Sequence, residues 1–372
     1  MENLKRFFIN GEWVDPISDQ NMLVINPATE EQIGTVALGN ARDVDLAVEA
    51  ASAAFDQFSQ TTKMDRLGLL KSVMVITERR LEDLAQAMRM EMGAPITMAR
   101  SSQADAAIGH LQGFIDALEE HNERAKLKNG DIMVHEPVGV CGLITPWNWP
   151  INQITLKVLP ALATGCTCIL KPSEHTPISA MIYAEILDEA GYPKGVFNLI
   201  NGEGPVVGAA LSRHPDIQMM SFTGSTRAGT AVTCDAADTV KRVTLELGGK
   251  SPNLVFADCD LEERVNASVE ECMFNTGQSC DAPTRLLVER ACYDDVVRIA
   301  KRAAEETDVG DPADEGDHIG PLFDKIQYER VQRMIKVGID EGATLLAGGM
   351  GKPEGVDKGW FVKPTIFSDV SN

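Results

Sequence analysis

A cysteine and a glutamate lie in two glycine-containing segments of this 372-residue chain, and together they could carry out covalent chemistry on a carbonyl group. Cys280 ends the segment 274–280, whose Asn, Gly, Gln and Ser residues are typical of a turn that a substrate can reach. Cysteine attacks as its thiolate, which helix-terminal N–H groups or a positively charged cofactor would favour. The alternative is a structural cysteine in a helix-end turn.

Two further residues have side chains suited to the same chemistry. Glu246 stands two residues before the pair Gly248-Gly249 in the segment 245–252, and it could act as a general base if burial raised its pKa toward about 6–7. Asn148 lies among two prolines and two tryptophans in 145–150, which would hold its amide rigidly toward a developing oxyanion. The alternatives are a strand-end salt bridge for Glu246 and an aromatic packing loop for Asn148.

Composition restricts the class of protein. The length predicts two or three domains, and the net charge of −21 repels phosphate backbones, which argues against a nucleic-acid partner. No secretion signal opens the chain, and the apolar run 158–170 is too short and too interrupted to span a bilayer. We therefore expect a cytoplasmic protein with no membrane partner.

The eight cysteines fit a reducing compartment. Cys141, Cys166 and Cys168 lie in apolar, strand-like runs, where they are expected to be small buried hydrophobic residues. No C-x-x-C pair is present and the six histidines are scattered, so no metal site is expected. Cys280 differs because its neighbours are polar and turn-forming.

The middle of the chain alternates strands and helices. Strands are predicted at 139–144, 166–170, 196–200, 217–222 and 242–245, with helices at 151–165, 178–190, 205–211 and 226–237 between them. This pattern predicts a doubly wound parallel sheet covered on both faces, with its ligand at the carboxyl ends of the strands. One site should gather the motifs that begin at these ends, at Thr145, Lys171, Gly202, Thr223 and Glu246.

Other segments extend this organisation. A second α/β unit is predicted from Pro252, with strands at 253–256 and 284–288, a helix capped by Asp258 or Asp260, and another through Arg302. The N-terminal third is predicted to be largely helical after Arg42. Residues 126–140 alternate polar and apolar side chains around an Asn-Gly pair, which predicts a β-hairpin.

Three strand-end segments could bind a dinucleotide. Residues 202–208, which include Gly204, resemble G-x-G-x-x-G with one residue too many, while Gly224 and Ser225 stand at a predicted helix start that would attract phosphate. Lys171 and Glu174 follow another strand, where the carboxylate could accept hydrogen bonds from a ribose diol. Taken singly, each could instead be a solvated surface group.

These segments together carry a family signature. Over essentially its whole length the chain resembles the NAD(P)-dependent aldehyde dehydrogenase superfamily, in a bacterial-type form. The resemblance rests on ordered motifs at family spacing, found at 8–13, 26–30, 145–150, 171–174, 222–226, 245–250 and 277–280.

The resemblance implies a site and a mechanism. Cys280 would attack an aldehyde, Asn148 with the Cys280 N–H would hold the oxyanion, and Glu246 would activate the water that hydrolyses the thioester. Lys171 and Glu174 would contact the adenine ribose. The other implied cofactor contacts are Trp147, Gly204, Gly224 and Ser225. Lys157 matches a family lysine near the active centre.

The resemblance also implies the cofactor, the domains and the assembly. The Glu174 charge favours NAD, with NADP as the alternative. Residues 1–120 and 140–247 would form the NAD-binding domain, 121–139 an oligomerisation hairpin and 248–372 the catalytic domain. A homodimer or homotetramer is implied for the full-length protein.

Two expectations concern activity. Glu246 argues against the CoA-acylating branch of the family. The sequences at 151–157 and 281–285 resemble those of bacterial members that act on ω-oxo acids or on aryl and aliphatic aldehydes. Family members continue beyond the match to 361–367, so the resemblance predicts a C-terminally truncated chain. Two other functions are alternatives to aldehyde oxidation. One is a non-catalytic fragment that at most binds NAD, and the more remote one is a thiol acyltransferase without a cofactor.

Overall fold

A computed structural model describes residues 3–371. Its strands are β1 (Phe7–Ile9), β2 (Glu12–Val14), β3 (Asn21–Ile25), β4 (Gln32–Ala37), β5 (Arg124–Lys126), β6 (Ile132–Val134), β7 (Val140–Ile144), β8 (Thr167–Lys171), β9 (Phe197–Leu199), β10 (Met219–Gly224), β11 (Arg242–Leu247), β12 (Pro252–Val255), β13 (Arg285–Val288), β14 (Thr344–Ala347) and β15 (Ile366–Ser368).

Its α-helices are α1 (Ala41–Phe58), α2 (Lys63–Arg79), α3 (Leu81–Glu91), α4 (Ile96–Met98), α5 (Asp105–Glu120), α6 (Pro150–Ala163), α7 (Pro177–Glu189), α8 (Ala209–Arg213), α9 (Thr226–Ala236), α10 (Leu261–Met273), α11 (Tyr293–Glu305) and α12 (Lys325–Asp340). π-Helical turns at Ala99–Ala104 and Gly204–Gly208 precede α5 and α8. None of the helices between residues 3 and 371 is long and apolar enough to cross a membrane.

The chain divides into two compact units, which are described separately. The first comprises the chain up to Val24 together with Gln32–Glu91 and Arg100–Leu247. The second comprises Ile25–Glu31, Met92–Ala99 and the chain from Gly248 onward.

A seven-stranded sheet forms the centre of the first unit, in the order β11-β10-β7-β8-β9-β1-β2. The five strands from β7 to β11 run parallel, which confirms the predicted doubly wound sheet. The sheet also has two antiparallel strands at one end, which were not predicted: β1 pairs antiparallel with both β9 and β2. These edge strands have three residues each, too few for an alternating pattern to predict them.

Helices cover both faces of this sheet. Val140 and Ile144 of β7 and Phe222 of β10 join one buried cluster with apolar residues of α1, α8 and α9. Residues alternate across a strand, so the intervening side chains, such as Leu143, point to the other face, where α6 packs against β7 and β8. The nearly continuous burial of β7 and β8 follows from cover on both faces.

Local sequence accounts for where several helices begin. Asn40 and Asp43 form a capping box at the start of α1. Pro150 and Pro177 open α6 and α7, where the missing N–H of proline costs nothing. The helix predicted at 205–211 instead begins with the π-helical turn Gly204–Gly208, and a π-helical turn accommodates one residue more than an α-helical turn.

The second unit contains the α/β elements predicted for it. Strands β12 and β13 pair in parallel, and α10 and α11 supply Val265 and Ile299 to the core beneath them. Asp260, the second of the two predicted caps, accepts the backbone N–H of Glu263 at the start of α10. Strands β14 and β15 form a separate antiparallel pair.

The hairpin predicted around Asn129-Gly130 is present as β5 and β6. Gly130 has φ +97°, a conformation that favours glycine, and its N–H donates to the carbonyl of Leu127. The hairpin exposes Ile132 and Val134 at its edge strand. Its role in oligomerisation stays a prediction.

Candidate active site

Strand register brings the predicted motifs of the first unit to one edge of the sheet. Ile144, the last residue of β7, pairs with Lys171 on one side and with Phe222 on the other. Thr223 in turn pairs with Glu246 of β11. The segments that begin at the carboxyl ends of β7, β8, β10 and β11 therefore start side by side, where a doubly wound sheet binds its ligand.

Asn148 lies in the loop between β7 and α6, and a distant side chain anchors its backbone. The side-chain Nε2 of Gln103 donates to the Asn148 carbonyl at 3.1 Å. Gln103 is fully buried and belongs to the π-helical turn before α5. Sequence reasoning missed this residue because its partner is 45 positions away. Trp147 and Trp149 flank Asn148, and all three are half-buried.

Glu246 projects from β11 beside Thr223 of the neighbouring strand. Glu246 is exposed, so the described part of the chain does not supply the burial that was set as the condition for a general base. The same face of the sheet carries Ser221, whose Oγ accepts a hydrogen bond from Lys157 Nζ at 2.9 Å. Burial lowers the pKa of Lys157 to about 8, and the Glu246 charge partly opposes this. A buried ammonium group thus lies within electrostatic range of the predicted base.

Lys171 and Glu174 form an ion pair next to the end of β8. Lys171 Nζ lies 2.9 Å from Glu174 Oε2 and also donates to the carbonyl of Pro172 at 2.7 Å. Burial works against ionisation of Glu174, but the Lys171 charge and hydrogen bonds outweigh it and lower the pKa of Glu174. The carboxylate is therefore ionised and fixed in direction.

The turn after β10 starts α9. Ser225 is its N-cap, and the Ser225 hydroxyl accepts the N–H of Ala228 at 3.3 Å. Gly224 has no room for a side chain, because a Cβ there would lie 2.6 Å from the ring of Phe222. Ser225 is exposed at a helix N-terminus, which attracts anions. Gly204 is exposed at the start of its π-helical turn.

Buried polar oxygens without a partner among the described residues recur at this edge. They are Thr145 Oγ1 after β7, Thr176 Oγ1 after β8, Asn201 Oδ1 after β9 and Thr223 Oγ1 in β10. A buried polar group normally has a hydrogen-bond partner, so these atoms fit a site that receives a polar ligand or water. This edge therefore suits a dinucleotide with ribose and phosphate groups.

Cys280 belongs to the second unit, in the turn that follows α10. Its side chain is exposed, and its carbonyl accepts the N–H of Gly249 at 3.2 Å. Gln278 braces the segment before it, since Gln278 Oε1 accepts the N–H of Phe323 and its Nε2 donates to the Asn275 carbonyl. The cysteine is therefore accessible on a turn that several hydrogen bonds hold in place.

Three consecutive residues before this turn have a left-handed backbone. Asn275, Thr276 and Gly277 have φ of +53°, +56° and +70°. Such a conformation is costly for threonine and persists only where the surroundings impose it. Here the Thr276 hydroxyl donates to the Gly320 carbonyl at 3.0 Å, and Asn275 is buried. The Asn and Gly residues that predicted a turn here are therefore explained by the left-handed backbone, which these two residue types adopt most readily.

Known proteins share this architecture. Residues 13–372 match the Aldehyde dehydrogenase family. A 3-succinoylsemialdehyde-pyridine dehydrogenase from a Pseudomonas species is 50% identical over 372 residues, 100% of this chain and 78% of the relative. A crystal structure of an aldehyde dehydrogenase from Bartonella henselae has a TM-score of 0.97 at 50% identity, covering 99% of this chain and 78% of that one.

Another solved structure shows a related protein with its ligands. It is a cysteine-to-alanine mutant of aldehyde dehydrogenase C from Pseudomonas syringae in complex with NAD⁺ and octanal. Its TM-score is 0.97 at 46% identity, covering 100% of this chain and 76% of that one. The chain described here belongs to the aldehyde dehydrogenase family, whose members are enzymes that oxidise aldehydes.

Proposed function

We propose that this chain oxidises an aldehyde to a carboxylic acid with NAD⁺, through a covalent intermediate on Cys280. The observation that best supports this is the alignment of Lys171, Thr223 and Glu246 at one sheet edge, next to buried oxygens without a partner among the described residues. The family of the chain supports the type of reaction.

In the first step the Cys280 thiolate attacks the aldehyde carbon, forming a C–S bond and placing a negative charge on the aldehyde oxygen. The Asn148 amide and the Cys280 N–H donate to this oxyanion. Gln103 donates a hydrogen bond to the backbone carbonyl of Asn148 and so holds the loop that carries this amide. Bound NAD⁺ supplies the acceptor for the hydride that leaves the same carbon.

In the second step Glu246 accepts a proton from a water molecule that attacks the thioester carbon on Cys280. The C–S bond breaks, the acid leaves and the thiolate is restored. Lys157 is buried and lies close enough to Glu246 for the Glu246 charge to raise the Lys157 pKa, so this step would take place beside an ammonium group.

The chain's own residues would hold the cofactor along the edge of the sheet. Lys171 and Glu174 would bind the adenine ribose, and Glu174 would favour NAD⁺ because its charge repels the 2′-phosphate of NADP⁺. The N-terminus of α9 with Ser225 would receive the pyrophosphate. The other contacts proposed for this part of the cofactor are Trp147, Gly204 and Gly224.

The aldehyde is best sought among compounds named for relatives. 3-Succinoylsemialdehyde-pyridine is the substrate in the name of one relative, and octanal is bound in the structure of another. Betaine aldehyde dehydrogenase from Staphylococcus aureus is more distant, at 32% identity. We propose an uncharged aryl or aliphatic aldehyde, with betaine aldehyde as the cationic comparison.

The test measures NADH formation by the purified chain with these three aldehydes. Cys280→Ser should abolish NADH formation, whereas Cys234→Ser, which changes another exposed cysteine, should leave it unchanged. Equal rates for Cys280→Ser and the parent chain would contradict the proposal. If the parent chain forms no NADH but cleaves an activated ester through Cys280, the non-catalytic alternative is supported instead.

A further inference from the structure

A second cysteine, in the first unit, is held in an unusual position. Helix α6 ends in a Schellman motif in which Gly165, with φ +82°, donates its N–H to the Leu162 carbonyl, while the N–H of Cys166 reaches the Ala161 carbonyl at 2.9 Å. The motif satisfies the last carbonyls of α6 and fixes the backbone of Cys166 as the chain turns into β8.

Hydrogen-bond donors converge on the sulfur of Cys166. The N–H of Val138 donates to the Sγ atom at 3.3 Å. The Thr164 hydroxyl is 3.5 Å away. A backbone N–H that donates to the sulfur stabilises a thiolate more than a thiol.

A cavity gives small molecules a route to this sulfur. It has a volume of about 800 Å³, and both Cys141 and Cys166 line it. Apolar side chains, including Leu143 and Leu156, form part of its wall. Cys168 is fully buried and does not line the cavity, although it is only two residues from Cys166.

The two cysteines that share the cavity differ in acidity. The hydrogen bond from Cys141, aided by the N–H groups, outweighs burial and lowers the pKa of Cys166, while the same bond and burial raise the pKa of Cys141. Burial also raises the pKa of Cys168. The other titratable groups that face this cavity from α2, α6 and the hairpin region are Arg66, Lys157, His121, Glu123, His135 and Glu136.

We propose that Cys166 is a second reactive thiolate of this protein, distinct from Cys280, and an oxidation site for small neutral peroxides that enter the cavity. Its sulfur would attack one oxygen of hydrogen peroxide, so that an S–O bond forms and the O–O bond breaks. The sulfur is oxidised by two electrons to a sulfenic acid. The attacked oxygen stays on the sulfur with its hydrogen, and the other oxygen of the peroxide leaves as hydroxide, which the buffer neutralises.

The test compares three thiols in the native full chain. Iodoacetamide labelling is followed against pH by tandem mass spectrometry, with Cys141 and Cys168 as internal controls. Cys166 should label at least tenfold faster than Cys168. Its labelling rate should reach half of its maximum at a pH below about 8.5, which is the ordinary pKa of a thiol. Cys141→Ala, which removes one donor, should move that midpoint upward.

A second arm tests the oxidation itself. Hydrogen peroxide followed by dimedone should leave an adduct on Cys166 that Cys166→Ser lacks. Labelling of Cys166 no faster than that of Cys168, or a midpoint at or above about 8.5, would overturn the reactive thiolate. Labelling by iodoacetamide without a dimedone adduct would overturn the oxidation site.

Discussion

Glu174 is a single charge on which the proposed choice of cofactor depends. Lys171 holds its carboxylate in place at 2.9 Å, and the pair lies where β8 ends. A carboxylate that binds a ribose diol repels a phosphate at the 2′ position. Removing the charge while keeping the shape should therefore weaken discrimination between NAD⁺ and NADP⁺ without abolishing activity.

We expect Glu174→Gln to lower the ratio of kcat/KM for NAD⁺ to that for NADP⁺ about tenfold, or about 1.4 kcal/mol. Steady-state kinetics with both cofactors measure it. Asp188→Asn, which removes an exposed charge from α7, is the matched control and should leave the ratio unchanged. An unaltered ratio in Glu174→Gln would show that Glu174 does not select the cofactor.

Residue patterns marked the side chains that are proposed to carry the chemistry, but not the contacts that hold them in place. Asn148, Glu246 and Cys280 lie in short motifs with distinctive neighbours, so type and spacing marked them. Gln103 has no such motif, and its contact with Asn148 exists only because α5 and α6 pack together. The exposure of Glu246 likewise depends on its place in an edge strand, which spacing does not specify.

At the scale of elements, α3 stabilises the N-terminus of α7, the helix that follows the Lys171–Glu174 segment. Glu91, the last residue of α3, is fully buried and accepts hydrogen bonds from the N–H groups of Ile178 and Ser179 and from the Ser179 hydroxyl. Pro177, the first residue of α7, has no N–H. The two N–H groups that donate to Glu91 are therefore the first two of this helix. Burial outweighs these bonds and raises the pKa of Glu91 to about 7.

This raised pKa has a defined consequence for stability. Between the ordinary pKa of 4.5 and about 7 the folded state holds a proton that the unfolded state has released. The contribution of Glu91 is therefore fully present below 4.5 and is lost as the pH rises to about 7. Over this window the loss amounts to at most about 3 kcal/mol.

We expect Glu91→Gln, which cannot ionise, to lose less thermal stability than the parent chain between pH 5 and pH 8. Melting temperatures across this range measure the difference. Glu82→Gln in the same helix is the control, because hydrogen bonds from Arg100 and Gln86 hold the pKa of Glu82 to about 2, outside the window. Parallel pH profiles for Glu91→Gln and the parent chain would contradict the ionisation of Glu91 near pH 7.

Elements with strong patterns were predicted well, and short or irregular ones were not. The parallel strands and the long helices between them have apolar runs that the sequence displays directly. The strands β1 and β2 are too short to show a period, and β1 joins the sheet by pairing Phe8 with Leu199 of β9, which is far away in the sequence. The π-helical turns at Ala99–Ala104 and Gly204–Gly208 also gave no separate signal.

At the scale of the whole molecule, the proposed chemistry draws on both units. In the proposed mechanism the first unit would supply the oxyanion donor Asn148, the base Glu246 and the edge suited to a dinucleotide, and the second would supply the nucleophile Cys280. The net charge of −21 is consistent with a small-molecule substrate rather than a polyanion.

The most direct test of this account follows the acyl group in Glu246→Gln. If Glu246 activates the hydrolytic water, this variant should release one equivalent of NADH in a burst and then stall. Mass spectrometry should find the acyl group on Cys280, and the parent chain should not accumulate it. Steady turnover of Glu246→Gln at the parent rate, with no acyl group on Cys280, would contradict the account.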